Sequence, residues 1–357
     1  MSTSFNRLNS VFENTTNSYK YYWLLSILKL IKTKGNEKIE LEDIVFEMLV
    51  FVWYPINYYK ISLGKQDQLT EYIKEIKDFF NLPDQIEDVK LMNFLKENRK
   101  TPVIKSIIKK TLRYVPYRFI RPWYPETIGI QDNSVNDHIK LLQKDIKRDP
   151  PYIIKNDYIL VNNKWIDFIY NNHTLIECSS LFELFKYVEK NNIMLTNISQ
   201  KLFKPKIRKL TKATKLWKNF INEKGHLYRC VFDDKPLNQI NQLSIDHFFP
   251  WSFLSNDLNW NLHPTNKIIN SSKSNFLPKI SYFELFFNLQ YNFCNYLLKN
   301  NINKPLEDYY KLFNCSNEEL NRLSIGQFKA KMNGFYLPQY EIAKNMGFKN
   351  NWSLNQL

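Results

Sequence analysis

Asp246 and His247 are adjacent, Asn261 follows fourteen residues after the histidine, Asn270 nine beyond that, and Lys273 one helical turn further. Residue types in this order can hydrolyse a phosphodiester. A neutral imidazole takes a proton from water near pH 7, so His247 is the candidate general base. Asp246 can turn its carboxylate to the opposite side of the same strand, where a hard cation would sit. Mg²⁺ prefers oxygen ligands and keeps several waters, so one carboxylate and one amide carbonyl suffice as the protein share. Asn270 is the candidate amide. Asn261 lies in the polar loop NDLNWNL, where its amide can bond backbone on both sides and fix the loop; Asn259 competes for that role. Lys273 shares a helical face with Asn270 and is a candidate phosphate contact, as is Lys267. The competing readings are a core histidine, a turn acid, a helix-end amide and solvated lysines.

Three short elements must hold these side chains. CVFDDKPL (230–237) is expected as a first strand with its turn, and LSIDHFFP (243–250) as a second strand ending on Asp246 and His247. HPTNKIINSSK (263–273) is expected to be helical, with Pro264 near the start.

The surroundings are basic. The 357 residues carry a formal charge of +15, which implies a polyanionic partner. From Arg99 to Arg121 there are eight cations and no acid. Lys105, Lys109 and Arg113 are candidate nucleic-acid contacts there, with Tyr114, Tyr117 and Phe119 interleaved. A solvated helix face followed by a Pro-containing turn is the alternative. Residues 201–218 hold eight more cations and no acid. Lys204, Lys206, Arg208, Lys209 and Lys212 are candidate backbone contacts, against the alternative of a charged linker.

The remaining chain reads as helical. Helices are expected over 17–34, over 41–54 with a stop at Pro55, over 67–80 and over 89–97. PYIIKNDYILVNNKWIDFI suggests short strands around Asn-Asp and Asn-Asn turns. SSLFELFKYVEKNN returns to helical spacing after a Ser cap. The apolar run 280–300 either covers the back of the core or forms a subunit interface.

Several classes fall away. Only 7 glycines are present and no phosphate-cradling glycine pattern occurs. No stretch reaches the roughly 18 apolar residues of a membrane span. MSTSFNRLNS lacks the zones of a signal peptide. Cys178, Cys230, Cys294 and Cys315 form no C-x-x-C pair, so neither a disulfide scaffold nor a zinc knuckle is expected, and a reducing cytoplasm fits.

The motif resembles the HNH (ββα-metal) endonuclease superfamily, and within it the HNH domain of type II CRISPR effector nucleases. The residues that carry the likeness are Asp246, His247, Pro250, Ser252, Phe253, Asn261, Asn270, Lys273, Ser274, Asn275 and Pro278. The resemblance implies one Mg²⁺, with Mn²⁺ able to substitute, held by Asp246 and Asn270. It implies His247 as base, Asn261 as loop support, and nicking of one DNA strand. Asn270 stands where many relatives carry His, which favours Mg²⁺ over a softer metal. Cys230 stands alone where many relatives carry a structural zinc, so none is expected.

No guide-RNA machinery is evident. SYKYYWLLSIL and VPYRFIRPWYP resemble segments of stand-alone bacterial HNH proteins suspected of anti-phage defence. The expected fold class is mainly α with a small α+β insert, an HNH core flanked by helical domains. The expected division is a helical domain at 1–125, a connecting region at 126–215, the nuclease core at 216–285 and a helical region at 286–357. DNA is the expected partner ahead of RNA, with a homodimer or a regulatory protein as further candidates.

Overall fold

The computed structural model describes every residue except 1, 14, 36, 146–147, 206–209 and 355–357. The fold is 64% helical, and among the described residues the strands form two small sheets. The fold is mainly α with a small α+β element. The chain divides into two compact units, Met1–Lys204 and Pro205–Leu357.

In the first unit, α1 (Tyr19–Lys34) ends where Gly35 adopts φ 64° and returns its N–H to the Ile31 carbonyl, a left-handed stop that suits glycine. Next come β1 (Lys38–Glu40) and α2 (Leu41–Asn57), the latter buried on most faces. The expected stop at Pro55 is not taken. Proline forfeits only its own bond to the preceding turn, and the chain continues with Tyr58 N–H donating to the Tyr54 carbonyl at 3.0 Å. Further on lie α3 (Leu69–Phe80) and α4 (Pro102–Ile120).

The strands expected in 151–169 form as β2 (Tyr152–Ile154) and β3 (Tyr158–Val161), an antiparallel pair. On its other edge β3 pairs with β1. This pairing places residues on both sides of the expected boundary at 125 in one sheet, so the connecting region is not separate. The Ser cap expected near 179 is also replaced. Two helical segments joined at a kink, together α5 (Asn163–Asn191), start from the Asn162 side chain and leave helical geometry at Asn172. Trp23 Nε1–H donates to the Tyr152 hydroxyl at 2.9 Å, and that hydroxyl donates to the Pro116 carbonyl at 2.7 Å. One buried chain of bonds thus fastens α1, β2 and α4.

In the second unit, α6 (Thr211–Lys224) leads to β4 (Leu243–His247), β5 (Leu262–Asn266) and α7 (Lys267–Lys273). The order is strand, strand, helix, but displaced from expectation. Residues 230–237 form a tight turn in which Cys230 N–H meets the Lys235 carbonyl at 2.8 Å and Asp234 takes φ 55°. Pro264 lies in β5 opposite Ile245, tolerated because a two-stranded sheet leaves one edge of each strand unpaired. The helix starts instead at Lys267, where the Asn266 side chain accepts from Ile268 N–H at 2.7 Å.

Beyond it, α8 (Phe283–Lys299) and α9 (Ile325–Asn345) cover the back of this unit. Phe248 stacks on Phe286 at 3.8 Å between centroids, and Phe249 meets Tyr336 edge-on at 4.7 Å. The apolar run after 280 is therefore core. Among the described residues no helix is long and apolar enough to cross a membrane.

Candidate active site

Asp246 and His247 are the last two residues of β4, so the pleat sends their side chains to opposite faces. His247 Nε2 lies 2.8 Å from Asp257 Oδ1. A carboxylate can only accept, so Nε2 carries the proton and Nδ1 is the basic nitrogen of the neutral ring. Asp257 was missed in the sequence, where it is one polar residue of a loop without periodicity.

Asp246 faces inward and is 5% exposed. Lys273 Nζ lies 3.0 Å from its Oδ2, an ion pair by distance, and donates to the His247 carbonyl at 2.7 Å. Lys273 is fully buried, which overturns its expected role as a phosphate contact. The shared face with Asn270 is real, but α7 packs that face against β4, so the ammonium enters the unit. His263, directly across the sheet from Asp246, was also missed. Its Nε2 is 3.7 Å from Asp246 Oδ2 and neither ring nitrogen has a hydrogen bond. Placing β5 correctly would have revealed it, because register pairs 246 with 263.

Burial alone would raise the Asp246 carboxyl. The Lys273 ammonium and His263 outweigh it and hold the group below the ordinary carboxylate range. Burial lowers the His263 imidazole, against the upward pull of Asp246.

Asn270 Nδ2 donates to Ser244 Oγ at 2.8 Å, which commits the amide nitrogen and leaves the oxygen as the acceptor. A carboxylate held anionic and an oriented amide oxygen are both hard donors and fit a divalent cation that prefers oxygen. With Oδ2 facing Lys273, Oδ1 is the Asp246 oxygen left for it. No group of three or more His, Cys, Asp or Glu among the described residues has a metal-binding arrangement. Cys230 lies 3.6 Å from Thr265 Oγ1, and burial pushes its thiol up to about 11.

Asn261 clamps the loop from both sides. Its Oδ1 accepts from Phe249 N–H at 2.9 Å, and its Nδ2 donates to the Phe249 carbonyl at 3.0 Å. The Tyr336 hydroxyl approaches Oδ1 at 3.1 Å. The competitor Asn259 is engaged elsewhere, donating through N–H and Nδ2 to Asp308 at 2.8 and 2.6 Å. Asn261→Ala strands a fully buried N–H and carbonyl and is expected to destabilise by roughly 1–3 kcal/mol. Urea unfolding checks this, and Tyr336→Phe should cost less, about 1 kcal/mol.

The proposed nucleic-acid contacts are dispersed. Lys267 and Lys212 are exposed in the second unit, at the starts of α7 and α6. Lys105, Lys109 and Arg113 are exposed on α4 in the first unit. Lys204 is tied to Glu87 at 2.5 Å and lies over the Tyr54 ring, so its charge is already paired. Lys201, in the same run, is buried, and burial lowers its ammonium to about 7. Lys206, Arg208 and Lys209 lie outside the described residues.

Two antiparallel strands and a short helix, with Asp-His ending the first strand and Asn on the helix, define the ββα class. Residues 231–279 match the family model described as HNH endonuclease. The chain carries an HNH-superfamily domain, which points to nuclease chemistry on nucleic acid and, as in HNH nucleases generally, to a divalent metal. The likeness to CRISPR effectors rests on the motif residues and is not part of that match. No curated protein and no solved structure matches the chain.

Proposed function

We propose that the protein is a metal-dependent DNA endonuclease, with His247 as general base and Asp246 and Asn270 holding one Mg²⁺. The observation that carries this reading is the hydrogen bond from His247 Nε2 to Asp257 at 2.8 Å, on the strand that also bears Asp246. It fixes the tautomer and leaves Nδ1 to take the proton of an attacking water. When bound, the cation supplies Lewis-acid polarisation of the scissile phosphate and stabilises the leaving oxygen.

The chain's own residues divide the remaining work. Asp257 orients the imidazole, Asn261 holds the loop between the strands, and Lys273 keeps Asp246 ionised from behind. Lys212 and Lys267, exposed at the starts of α6 and α7, would meet the DNA backbone, and Lys105, Lys109 and Arg113 are exposed candidates of the first unit by itself. Mn²⁺ should replace Mg²⁺. A cytoplasmic role in bacterial defence or in a mobile element suits a nicking enzyme, and double-strand breaks would need a dimer or a protein partner. The test is conversion of supercoiled plasmid to open circles with Mg²⁺, with Mn²⁺, and in EDTA, alongside a single-stranded RNA of matched length. Cleavage in EDTA, or of RNA alone, would replace this reading.

One observation favours a gated form of the same enzyme. The Asp246 and His247 side chains are only 6% and 8% exposed, and movement of a segment near the site would open them to DNA. Gating predicts slow nicking by the purified protein and a lag that an activating partner shortens.

Asp257→Ala removes the orienting carboxylate. Nicking is expected to fall by roughly 10–100-fold, as for other partners that orient a functional imidazole. Single-turnover rates would show this, and an unchanged rate would remove Asp257 from the mechanism.

A further inference from the structure

The first unit contains a cavity of about 990 Å³, formed by residues near the start of α1, the turn before α3, and α4 with the segment after it. Its walls bring together five cations, Lys20, Lys110, Arg113, Arg118 and Arg121, against one carboxylate, that of Asp132. Asp132 pairs with Arg118 at 3.0 Å but is itself largely exposed, so solvent screens the pair, and Arg118 also donates to Asn136 Oδ1 at 3.1 Å and to the Asp132 carbonyl at 2.7 Å. Arg121 spends its donors on neutral oxygens, Nε to Thr127 Oγ1 at 3.2 Å and Nη2 to the Thr127 carbonyl at 2.6 Å. Lys20 donates to the Val11 carbonyl at 2.9 Å. The Arg121 bonds orient its guanidinium without cancelling its charge. Burial, with Arg121 and Arg118 adding to it, lowers the Lys20 ammonium, as expected where cations face one another.

Aromatic rings complete the walls. Tyr19, Tyr72 and Tyr114 line the cavity, with Lys110 5.7 Å from the Tyr72 ring centroid and Arg113 5.0 Å from that of Tyr114. The two helix starts that contribute to the walls are tied together. Buried Asp67 accepts from Ser18 N–H and Oγ, both at 2.6 Å, and from Leu69 N–H at 2.9 Å, which locks the start of α1 to the start of α3. A cation stripe on a convex helix would suit a duplex backbone. Cations converging into a concavity of this volume suit a compact anion, and flanking tyrosines suit a ring that stacks.

We propose that this cavity binds a nucleoside phosphate, its phosphates held by Arg118, Arg121 and Lys20 and its base against the tyrosines. The ligand is either a free nucleotide or the phosphorylated end of a strand. The site stands whether or not the HNH domain cleaves DNA.

Calorimetric titration of the full chain in EDTA tests it, using ATP, GTP, tripolyphosphate, and a six-nucleotide DNA strand with and without a 5′-phosphate. Sub-millimolar binding of a nucleotide or of the phosphorylated strand alone is expected, and which of the two binds assigns the source. Arg118→Gln and Arg121→Gln should each weaken it about tenfold or more, the loss of one charge-assisted contact. Because Arg121 also ties down Thr127, the double variant Lys110→Gln/Arg113→Gln, with both residues exposed, provides a second reading with the same expected loss. Lys164→Gln/Lys190→Gln, exposed on α5 and outside the cavity, should bind as wild type. The proposal is overturned if no nucleotide or strand binds, if tripolyphosphate binds as tightly as ATP, or if the cavity variants bind unchanged.

Discussion

Replacing His247 by Ala is expected to lower plasmid nicking by about 10²–10⁴-fold, the usual worth of a positioned general base. The size of the effect follows from the geometry. Nε2 is committed to Asp257 at 2.8 Å, so the only basic nitrogen of the neutral ring is Nδ1, and alanine supplies no replacement. The fold should survive, because the His247 contact that Lys273 uses is a backbone carbonyl, which alanine retains. A melting temperature near that of wild type would confirm an intact scaffold. A nicking rate within tenfold of wild type would mean that another group takes the proton, and the assignment of His247 would have to be abandoned.

Lys273→Ala is expected to destabilise the second unit by about 3–5 kcal/mol, because it leaves the buried Asp246 carboxylate without its counter-charge. The pair is 3.0 Å apart, with the lysine side chain 0% and the aspartate 6% exposed. The same substitution removes the bond to the His247 carbonyl, which loosens the end of the strand that carries the base. Adding Asp246→Asn to Lys273→Ala should recover much of the stability, since removing both charges is far less costly than removing one, while nicking stays lost with the proposed metal ligand. Urea unfolding of the two single variants and the double variant closes this cycle. Additive losses would show that the two side chains do not interact, and that Lys273 is merely buried.

The two expectations differ in how far the chain alone supports them. Asp246, His247, Asn261 and Asn270 are separated by short intervals within one local motif, and such intervals survive folding. Their spacing suggested a base, two oxygen donors and a loop support, and Asn261 does bond the N–H and the carbonyl of Phe249. Helical periodicity likewise located most of the first unit, because burying an apolar stripe is decided over a few turns.

Pairing between distant segments was not legible. Strand β1, only three residues long, acquires its identity from β3 more than a hundred positions later, which is why the boundary at 125 dissolved. In the motif itself, a strand was expected at 230–237 and a helix at Pro264, since a short apolar segment does not declare its own partner.

Composition established the positive charge of this protein, and the motif established its HNH character; both belong to residues adjacent or nearly so in the chain. Tertiary structure alone decided where each charge points. Lys273 turned inward to Asp246, Asp257 came to His247, and Lys20 met Arg118 and Arg121 in one cavity. An ion pair or a convergent pocket is a relation between surfaces brought together by packing, and no single segment contains it.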